Sequence, residues 1–439
     1  MFKLGTLKIP HNKHTTGTVC ERIPTPASVV LPMAQCLGAP ALPIVKVGDK
    51  VCVGTKVAEA NGQISASIHS PVSGTVKKIG DFLLSDGKNC QAITIESDGE
   101  MTVDSGITPP VVNNATEFCA AIRESGLVGL GGAGYPTASK LEEAISNSVD
   151  TVIINGAECE PYITVDNRTM TDGANYVVRG VALIERYIAS ANRIIIVAQK
   201  TNASAISMMK QLFAGNPKVT VEELPATYPQ GSEKALVYNF TGKVVSEDQL
   251  PTDLGCVVFN VTSVAYLGYY LETGMPLVYK TITVDGSAVG TPKNVTVPVG
   301  TSLKDVLAFA NVDFENLGKV LYGGPMMGVA AYSVEDPIYK NTNAVIALNK
   351  KDSMPKKQYP CIHCGKCIEA CPMKLNPTAF VKAMKIEDKE ERAIALQNSD
   401  ILSCIDCGCC SYVCPSRRPL VENNKLAKND LHAARGTKN

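Results

Sequence analysis

The chain has 439 residues, of which 45% are apolar and 16 are cysteine, and its 42 Lys+Arg balance 42 Asp+Glu. Zero net charge removes the electrostatic case for nucleic acid or an anionic lipid surface, and the apolar fraction excludes a disordered chain. At roughly 100–200 residues per domain the length predicts two to four domains.

The opening residues MFKLGTLKIPHNKH have no apolar h-region and no small-residue cleavage site, so they do not read as a signal peptide. The uncharged stretch 23–45 is broken by Pro24, Pro26, Pro32, Pro40 and Pro43, and no helix can run through it. The apolar stretch 254–271 contains Asn260, Thr262, Ser263 and Gly268 and falls short of the roughly 20 residues that span a bilayer. These features predict a protein without a transmembrane helix in a reducing compartment, where disulfides are rare. Sixteen cysteines then need another explanation.

Residues 42–97 hold short β-rich pieces separated by Gly turns, which suggest a small sandwich. The pattern is similar to biotinyl/lipoyl carrier domains. The corresponding hairpin tip, about 59–64, has no Lys, which argues against a swinging arm and for a docking or structural domain. His69 reads as a satisfied structural histidine. Residues 116–125 read as a short helix, and the densest glycine cluster follows at 126–134. Gly129, Gly131 and Gly134 satisfy G-x-G-x-x-G, but a dinucleotide fingerprint follows a strand, not a helix. The loop still offers backbone N–H groups, with Lys140 at the start of a helix, all suited to a phosphate or a planar ring.

The run 150–155 is a buried-type strand leading into Gly156-Ala-Glu-Cys-Glu-Pro-Tyr162. Polar residues at a strand's carboxyl end mark the crevice of an open α/β sheet, so Asn155, Glu158 and Glu160 sit where a ligand is expected. A solvated acidic turn is the alternative. A helix over about 170–191, a strand at 193–198, a helix over about 202–214 and a strand at 219–224 continue an α/β alternation with a parallel sheet. Residues 277–348 show strands at 280–284 and 294–299, a helix at 302–310, a further run at 319–322 and the apolar loop Gly323-Gly-Pro-Met-Met-Gly328.

Nine cysteines fall after residue 360. Cys361, Cys364, Cys367 and Cys371 form C-x-x-C-x-x-C-x-x-x-C followed by Pro372. Cys404, Cys407, Cys410 and Cys414 repeat it before Pro415, across a linker that reads as helix. This resembles the bacterial-ferredoxin pattern. The resemblance implies two crossed 4Fe–4S ligand sets, Cys361, Cys364, Cys367 with Cys414 and Cys404, Cys407, Cys410 with Cys371. Paired zinc sites are the alternative, but zinc knuckles use C-x-x-C pairs across a spacer. Cys409 is left over as a bystander or a register alternative to Cys410, and His363 reads as a solvated loop residue. The seven scattered cysteines read as small buried hydrophobes, except Cys159 in the acidic turn.

The loop GLGGAGYPTxxK, the run NGAECEP and the segment Tyr228-Pro-Gln-Gly-Ser-Glu-Lys-Ala235 together resemble the NADH-oxidising flavoprotein subunit of respiratory complex I, over about 110–270. That resemblance implies Gly129, Gly131, Gly132, Lys140, Asn155 and Glu158 around FMN, and Asn260 and Ser263 at its phosphate end. It implies Glu160, Gly231 and Glu233 near the flavin and NAD(H). Leu130 stands where that family carries Arg, and Ala157 where it carries Asp. The segment after the flavin region looks like a β-grasp module of the soluble-ligand-binding type.

The order of modules resembles the C-subunit family of the Rnf complex, a membrane-bound ferredoxin:NAD oxidoreductase. The resemblance implies a multidomain α/β chain: a carrier-like β-sandwich (1–108), a Rossmann-like FMN/NADH domain (109–275), a β-grasp module (276–350) and a ferredoxin-like domain with two 4Fe–4S clusters (351–439). It implies electron transfer through cofactors with no catalytic side chain, and NADH, other Rnf subunits and, indirectly, ferredoxin as partners. The place implied is the cytoplasmic side of the bacterial membrane, peripherally. The runner-up is a cobalamin reductase-like flavo-iron–sulfur protein of propanediol microcompartments, in which the clusters are expected between the flavin and β-grasp regions. An iron–sulfur scaffold without a nucleotide site is the third reading.

Overall fold

The computed structural model describes residues 6–436. Near the N-terminus, strands Ser28–Pro32, Asn89–Ser97, Gly74–Leu83 and Lys50–Val51 form an antiparallel sheet. Leu42–Pro43, Lys56–Glu59 and Ile68–His69 form a second one. Side chains alternate across each strand, so Val29, Leu31, Ile93, Ile95 and Val76 all face inward and close on Val57, Ile68 and Val72. The tip between Lys56–Glu59 and Ile68–His69 is tied to the neighbouring domain. Ser139 Oγ and Arg123 Nη1 donate to the Gln63 carbonyl at 2.6 and 3.1 Å. A tip held this way cannot swing.

The central sheet is fully parallel, in the order Val219–Leu224, Arg193–Gln199, Thr151–Gly156, Cys256–Asn260. Its strands are buried on both faces, which is why they read as unbroken apolar runs. Val152, Ile154, Ile194 and Ile196 pack on one layer of helices with Phe118, Ile122, Leu141, Val181 and Val264. Ile153, Ile195 and Val197 face the other side, with Leu236 and Val237. The helix expected over 170–191 is Ala174–Tyr187, and a second helix, Val165–Thr171, precedes it. They divide at Asp172-Gly173, where Arg168 Nε folds back on the Asp172 carboxylate at 2.8 Å.

The third sheet has six strands in the order Glu21–Arg22, Lys293–Pro298, Tyr279–Asp285, Ala344–Asn349, Leu317–Tyr322, Val329–Ala330. Its first strand comes from the N-terminal segment, 272 residues away from the Lys293 that Glu21 binds at 2.8 Å. Strand Ala344–Asn349 is an addition to the elements expected from the sequence. It joins Tyr279–Asp285 in parallel and Leu317–Tyr322 antiparallel, both long-range pairings.

The C-terminal part is helical. The linker between the cysteine runs is two helices, Pro377–Ala383 and Lys389–Gln397, packed on Leu420–Ala434 through Phe380, Leu396, Ala427 and Leu431. No helix of the described residues is long and apolar enough to cross a membrane.

Candidate functional site

Strands Thr151–Gly156 and Cys256–Asn260 end side by side, with Asn155 and Asn260 in register. Asn155 Nδ2 donates to the Gly231 carbonyl at 2.9 Å, and its Oδ1 accepts from Ala157 N at 3.1 Å. Asn260 caps helix Val261–Thr273, accepting from the amides of Thr262 and Ser263 at 3.0 and 3.2 Å. Its Nδ2 reaches both Asp166 oxygens, at 3.1 and 2.9 Å.

The glycine loop lies over this sheet edge and is closed at its base by Gly129, whose N–H donates to Tyr135 O at 2.8 Å. Leu130 is clamped through its backbone. Its amide donates to Ser263 Oγ at 2.9 Å, and buried Lys280 Nζ donates to its carbonyl at 2.9 Å. Asn341 Nδ2 and Asn343 Nδ2 hold the carbonyls of Gly132 and Gly131 at 2.9 and 3.4 Å. Gly131, Gly132 and Ala133 are exposed, and among the described residues their amides meet no protein acceptor. Three free amides on a clamped loop are a donor set for a phosphate or a flavin's polar ring edge. A Cβ at Gly131 would lie 3.0 Å from Asn260 Nδ2, close enough that the Asn260 side chain would have to shift. Lys140 stands at the same edge, donating to Glu233 Oε1 at 2.7 Å and to Val258 O at 3.0 Å.

The acidic turn is not solvated, contrary to the alternative reading. Glu158 is 9% exposed. Glu158 and Tyr162 both hold left-handed backbone, at φ +47° and +71°, a conformation costing about 1–3 kcal/mol each. The N-terminal segment holds the turn in place. The His11 carbonyl accepts from Tyr162 N at 2.8 Å. Lys13 Nζ donates to the carbonyls of Glu158 and Glu160 at 2.8 and 3.3 Å, and also to that of Ile163. The same ammonium lies 3.7 Å from Glu158 Oε2, an oxygen with no hydrogen-bond partner.

Burial pushes the Glu158 carboxyl upward, with Lys13 opposing. Burial also raises Asp166, against hydrogen bonds from Thr262 and Asn260. Lys280 is pushed down to about 7 by burial, with Asp166 opposing. Two buried carboxyls and two buried amines thus balance beneath the loop, as buried charges must.

The C-terminal cysteines surround two cavities. Cys371, Cys404, Cys407 and Cys410 line one, with Cys409, Phe380 and Asn424. Cys361, Cys364, Cys367 and Cys414 line the other, with Ile362 and His363. Each cavity takes three thiols from one run and the fourth from the other. Gly365 and Gly408 turn the two loops at φ +77° and +73°. Sulfur acceptors are met by N–H groups: His363 N to Cys361 Sγ at 3.4 Å, Leu375 N to Cys371 Sγ at 3.3 Å and Asn424 Nδ2 to Cys404 Sγ at 3.6 Å.

Among the described residues no three His, Cys, Asp or Glu converge on one ion-sized point. Four soft ligands spaced around a cavity instead fit a multi-iron core. Burial raises Cys404 to about 11 and Cys410 to about 12, so a cationic core would be what draws off their protons. Cys409 is fully buried and lines the same cavity as Cys410.

The two regions touch. Tyr228, fully buried, donates its hydroxyl to the Cys407 carbonyl at 2.8 Å and lies 3.3 Å from Glu160 Oε1. Glu160 Oε2 accepts from Met326 N at 3.1 Å, and a Cβ at Gly408 would come within 2.7 Å of Met326 O. The loop 323–328 therefore meets the acidic turn on one side and a cysteine loop on the other. Cys159 packs in this junction with Ile9, Tyr228, Cys407 and Cys409, and burial raises its thiol to about 11. Lys428 donates to Asp406 Oδ2 at 2.9 Å, and Arg435 to Glu247 Oε1 at 2.7 Å, so part of the basic tail is internal.

Sequence reasoning missed Lys13, Asp166, Lys280, Asn341 and Asn343. Lys280 had a signal: it shares a strand face with Ile282 and Val284, and a charge on an apolar face marks a buried partner. The others are brought in by long-range folding. His69 also differs from expectation. It is buried, burial holds it well below the usual imidazole range, and its Nδ1 has no partner.

Three family models match the chain. Residues 2–100 match the RnfC Barrel sandwich hybrid domain, residues 122–268 the Nuo51 FMN-binding domain and residues 360–417 the 4Fe-4S dicluster domain. The chain is thus a multidomain α/β protein with an N-terminal barrel-sandwich domain, an FMN-binding domain and a C-terminal 4Fe–4S ferredoxin-like domain. A Clostridium ljungdahlii protein, named as the C subunit of a proton-translocating ferredoxin:NAD(+) oxidoreductase complex, is 38% identical over 399 residues, 89% of this chain and 86% of that one. An Acetobacterium woodii protein, named as the C subunit of a Na(+)-translocating ferredoxin:NAD(+) oxidoreductase complex, is 34% identical over 437 residues, 98% of this chain and 97% of that one. A Rhodobacter capsulatus protein, named as the C subunit of an ion-translocating oxidoreductase complex, is 35% identical over 372 residues, 84% of this chain and 72% of that one.

Proposed function

Because the chain belongs to the family of C subunits of ion-translocating ferredoxin:NAD(+) oxidoreductase (Rnf) complexes, we propose that it is the subunit through which electrons pass between NAD(H), FMN and two 4Fe–4S clusters. It is an oxidoreductase subunit with FMN and 4Fe–4S domains. The cobalamin reductase alternative is not favoured, since the named relatives are C subunits and the cysteine runs are C-terminal. In the finer architecture the carrier-like sandwich spans 1–108, the Rossmann-like domain 109–275, the β-grasp module 276–350 and the ferredoxin-like domain 351–439. Strand Glu21–Arg22 would be lent to the β-grasp sheet. The partners would be the membrane and iron–sulfur subunits of the complex, with ferredoxin reached indirectly, on the cytoplasmic face of the bacterial membrane.

In this reading Gly129, Gly131 and Gly132 bring backbone amides to FMN, and Asn155 and Glu158 shape the floor beneath it. Asn260 and Ser263 lie at the phosphate end of FMN, where Asn260 caps helix Val261–Thr273 and Ser263 Oγ accepts from Leu130 N. Lys140 places positive charge beside the flavin, where it stabilises the reduced form. Glu160, Gly231 and Glu233 line the approach of the dinucleotide. When bound, the flavin exchanges electron pairs with the nicotinamide and single electrons with the clusters. Cys361, Cys364, Cys367 and Cys414 would hold one cluster, and Cys371, Cys404, Cys407 and Cys410 the other.

The observation that carries this reading is the contact between Tyr228 of the flavin domain and the Cys407 carbonyl of a cysteine loop at 2.8 Å. It puts the two cofactor regions in direct contact. The test is an anaerobic NADH titration with flavin and metal analysis. Bleaching of flavin absorbance and about eight irons per chain are expected. Lys140→Ala should weaken NADH-driven reduction and leave the iron unchanged. Zinc in place of iron, or a chain that takes up no flavin, would refute the reading.

A further inference from the structure

The Tyr228 hydroxyl has one proton and two acceptors, the Cys407 carbonyl at 2.8 Å and Glu160 Oε1 at 3.3 Å. A hydroxyl donates once. With Glu160 protonated, its O–H can donate to the Tyr228 oxygen while Tyr228 donates to Cys407, and every group is satisfied. With Glu160 ionised, the carboxylate is the stronger acceptor, since charge-assisted bonds are roughly twice as strong as neutral ones. It then competes with the Cys407 carbonyl for the same proton.

We propose that Glu160 and Tyr228 are a proton-responsive positioning pair for the cluster held by Cys371, Cys404, Cys407 and Cys410. The inference rests on the reading that those cysteines hold a cluster. Two effects act with the same sign. Loss of the Tyr228 bond removes a donor from a ligand residue, and hydrogen bonding near the ligands tunes cluster potential. The Glu160 negative charge, in water-poor surroundings, also opposes a further electron nearby. Protonated Glu160 therefore favours the reduced cluster. One electron from the dinucleotide-reduced flavin entering this cluster is matched by one proton from water binding a Glu160 oxygen. The proton leaves when the electron does, and no other bond changes.

The groups facing Glu160 come from four elements. Lys13 on the N-terminal segment and the amides of Met326 and Met327 on the loop 323–328 favour its ionised form, as does the Tyr228 hydroxyl. Cys159 adjoins it in the turn, and Cys407 and Cys409 lie beyond Tyr228. Burial outweighs these and raises the carboxyl to about 7. A change in cluster charge next door can therefore change its protonation near neutral pH.

The test uses the full chain with both clusters and FMN in place, the wild type beside Glu160→Gln and Tyr228→Phe. Each cluster's potential is followed by electron paramagnetic resonance between about pH 6 and about pH 8.5. In the wild type the potential of the buried cluster should fall as pH rises, and in Glu160→Gln it should stay flat near the acid-side value. Tyr228→Phe should lower the acid-side potential and flatten the slope, and the second cluster should be unmoved throughout. An unchanged slope in Glu160→Gln, or a pH-independent wild type, overturns the pair. A wild type that takes up no iron overturns the cluster reading itself.

Discussion

Lys13 and Glu158 are 145 residues apart in the chain and meet as a buried pair, with Nζ 3.7 Å from Oε2. The ammonium also donates to three carbonyls of the turn that carries Glu158 and Glu160. A stretch of the N-terminal segment outside any helix or strand, residues 8–13, thus holds the acidic turn in its strained shape.

Lys13→Ala leaves a buried carboxyl and three carbonyls without their cation. Breaking one side of a buried pair costs about 3–5 kcal/mol, and that loss is expected in urea unfolding, with flavin released earlier in the transition. Lys8, exposed on the same segment, is the control. Its replacement by Ala should stay within about 0.5 kcal/mol.

The crossed thiol sets predict which variants share a phenotype. Cys361→Ser and Cys414→Ser should each remove about half of the iron and leave the same remaining resonance. Cys371→Ser should match Cys404→Ser, not Cys361→Ser, although Cys371 is a near neighbour of Cys361 in the chain. Iron analysis and paramagnetic resonance of the four variants decide it. Sets that follow the chain order instead would pair Cys371 with Cys361.

Gly408 and Gly365 occupy equivalent turns with the same left-handed backbone. A Cβ at Gly365 meets nothing within 4 Å, whereas one at Gly408 would sit 2.7 Å from Met326 O. Gly365→Ala should cost about 1 kcal/mol from backbone strain alone. Gly408→Ala should cost a further 1–3 kcal/mol, roughly, for the clash. It should also slow the passage of electrons from flavin to clusters in stopped-flow measurements, while NADH still bleaches the flavin at its usual rate.

The Glu160 carboxyl titrates near 7 in the folded chain because burial raises it from the ordinary carboxylate range. A raised acid binds its proton more tightly folded than unfolded. Its contribution is therefore fully favourable below the unfolded pKa and is lost as pH rises through the folded value. Relative to Glu160→Gln, the wild type should lose up to about 3 kcal/mol of stability between about pH 4.5 and about pH 8, levelling off above. Urea unfolding of both proteins from about pH 5 to about pH 8 checks the direction.

Features carried by adjacent residues were legible in the sequence. The two cysteine runs with their prolines, the glycine cluster and the apolar runs of the parallel sheet are each set by short-range geometry: loop curvature, backbone freedom and burial on two faces. Most of the helices and strands of the flavin domain followed from the same periodicities. The strand Ala344–Asn349 did not, because it depends on two distant strands, whereas the break at Asp172-Gly173 has a local signal, a glycine that disfavours helix. Most of the site's support was likewise invisible. Lys13 and Asp166 matter only because folding buries their charges, and a charge has no value as a partner until its neighbour is known; Lys280 alone left a signal, as a charge on an apolar strand face. The resemblance implied thiol sets crossed between the two runs, and each cavity is lined by thiols of both; the tertiary structure alone decided that Tyr228 reaches the Cys407 carbonyl. Eight of the sixteen cysteines indicated the chemistry by their spacing; only packing, which brings together groups far apart in the chain, showed how that chemistry meets the flavin domain.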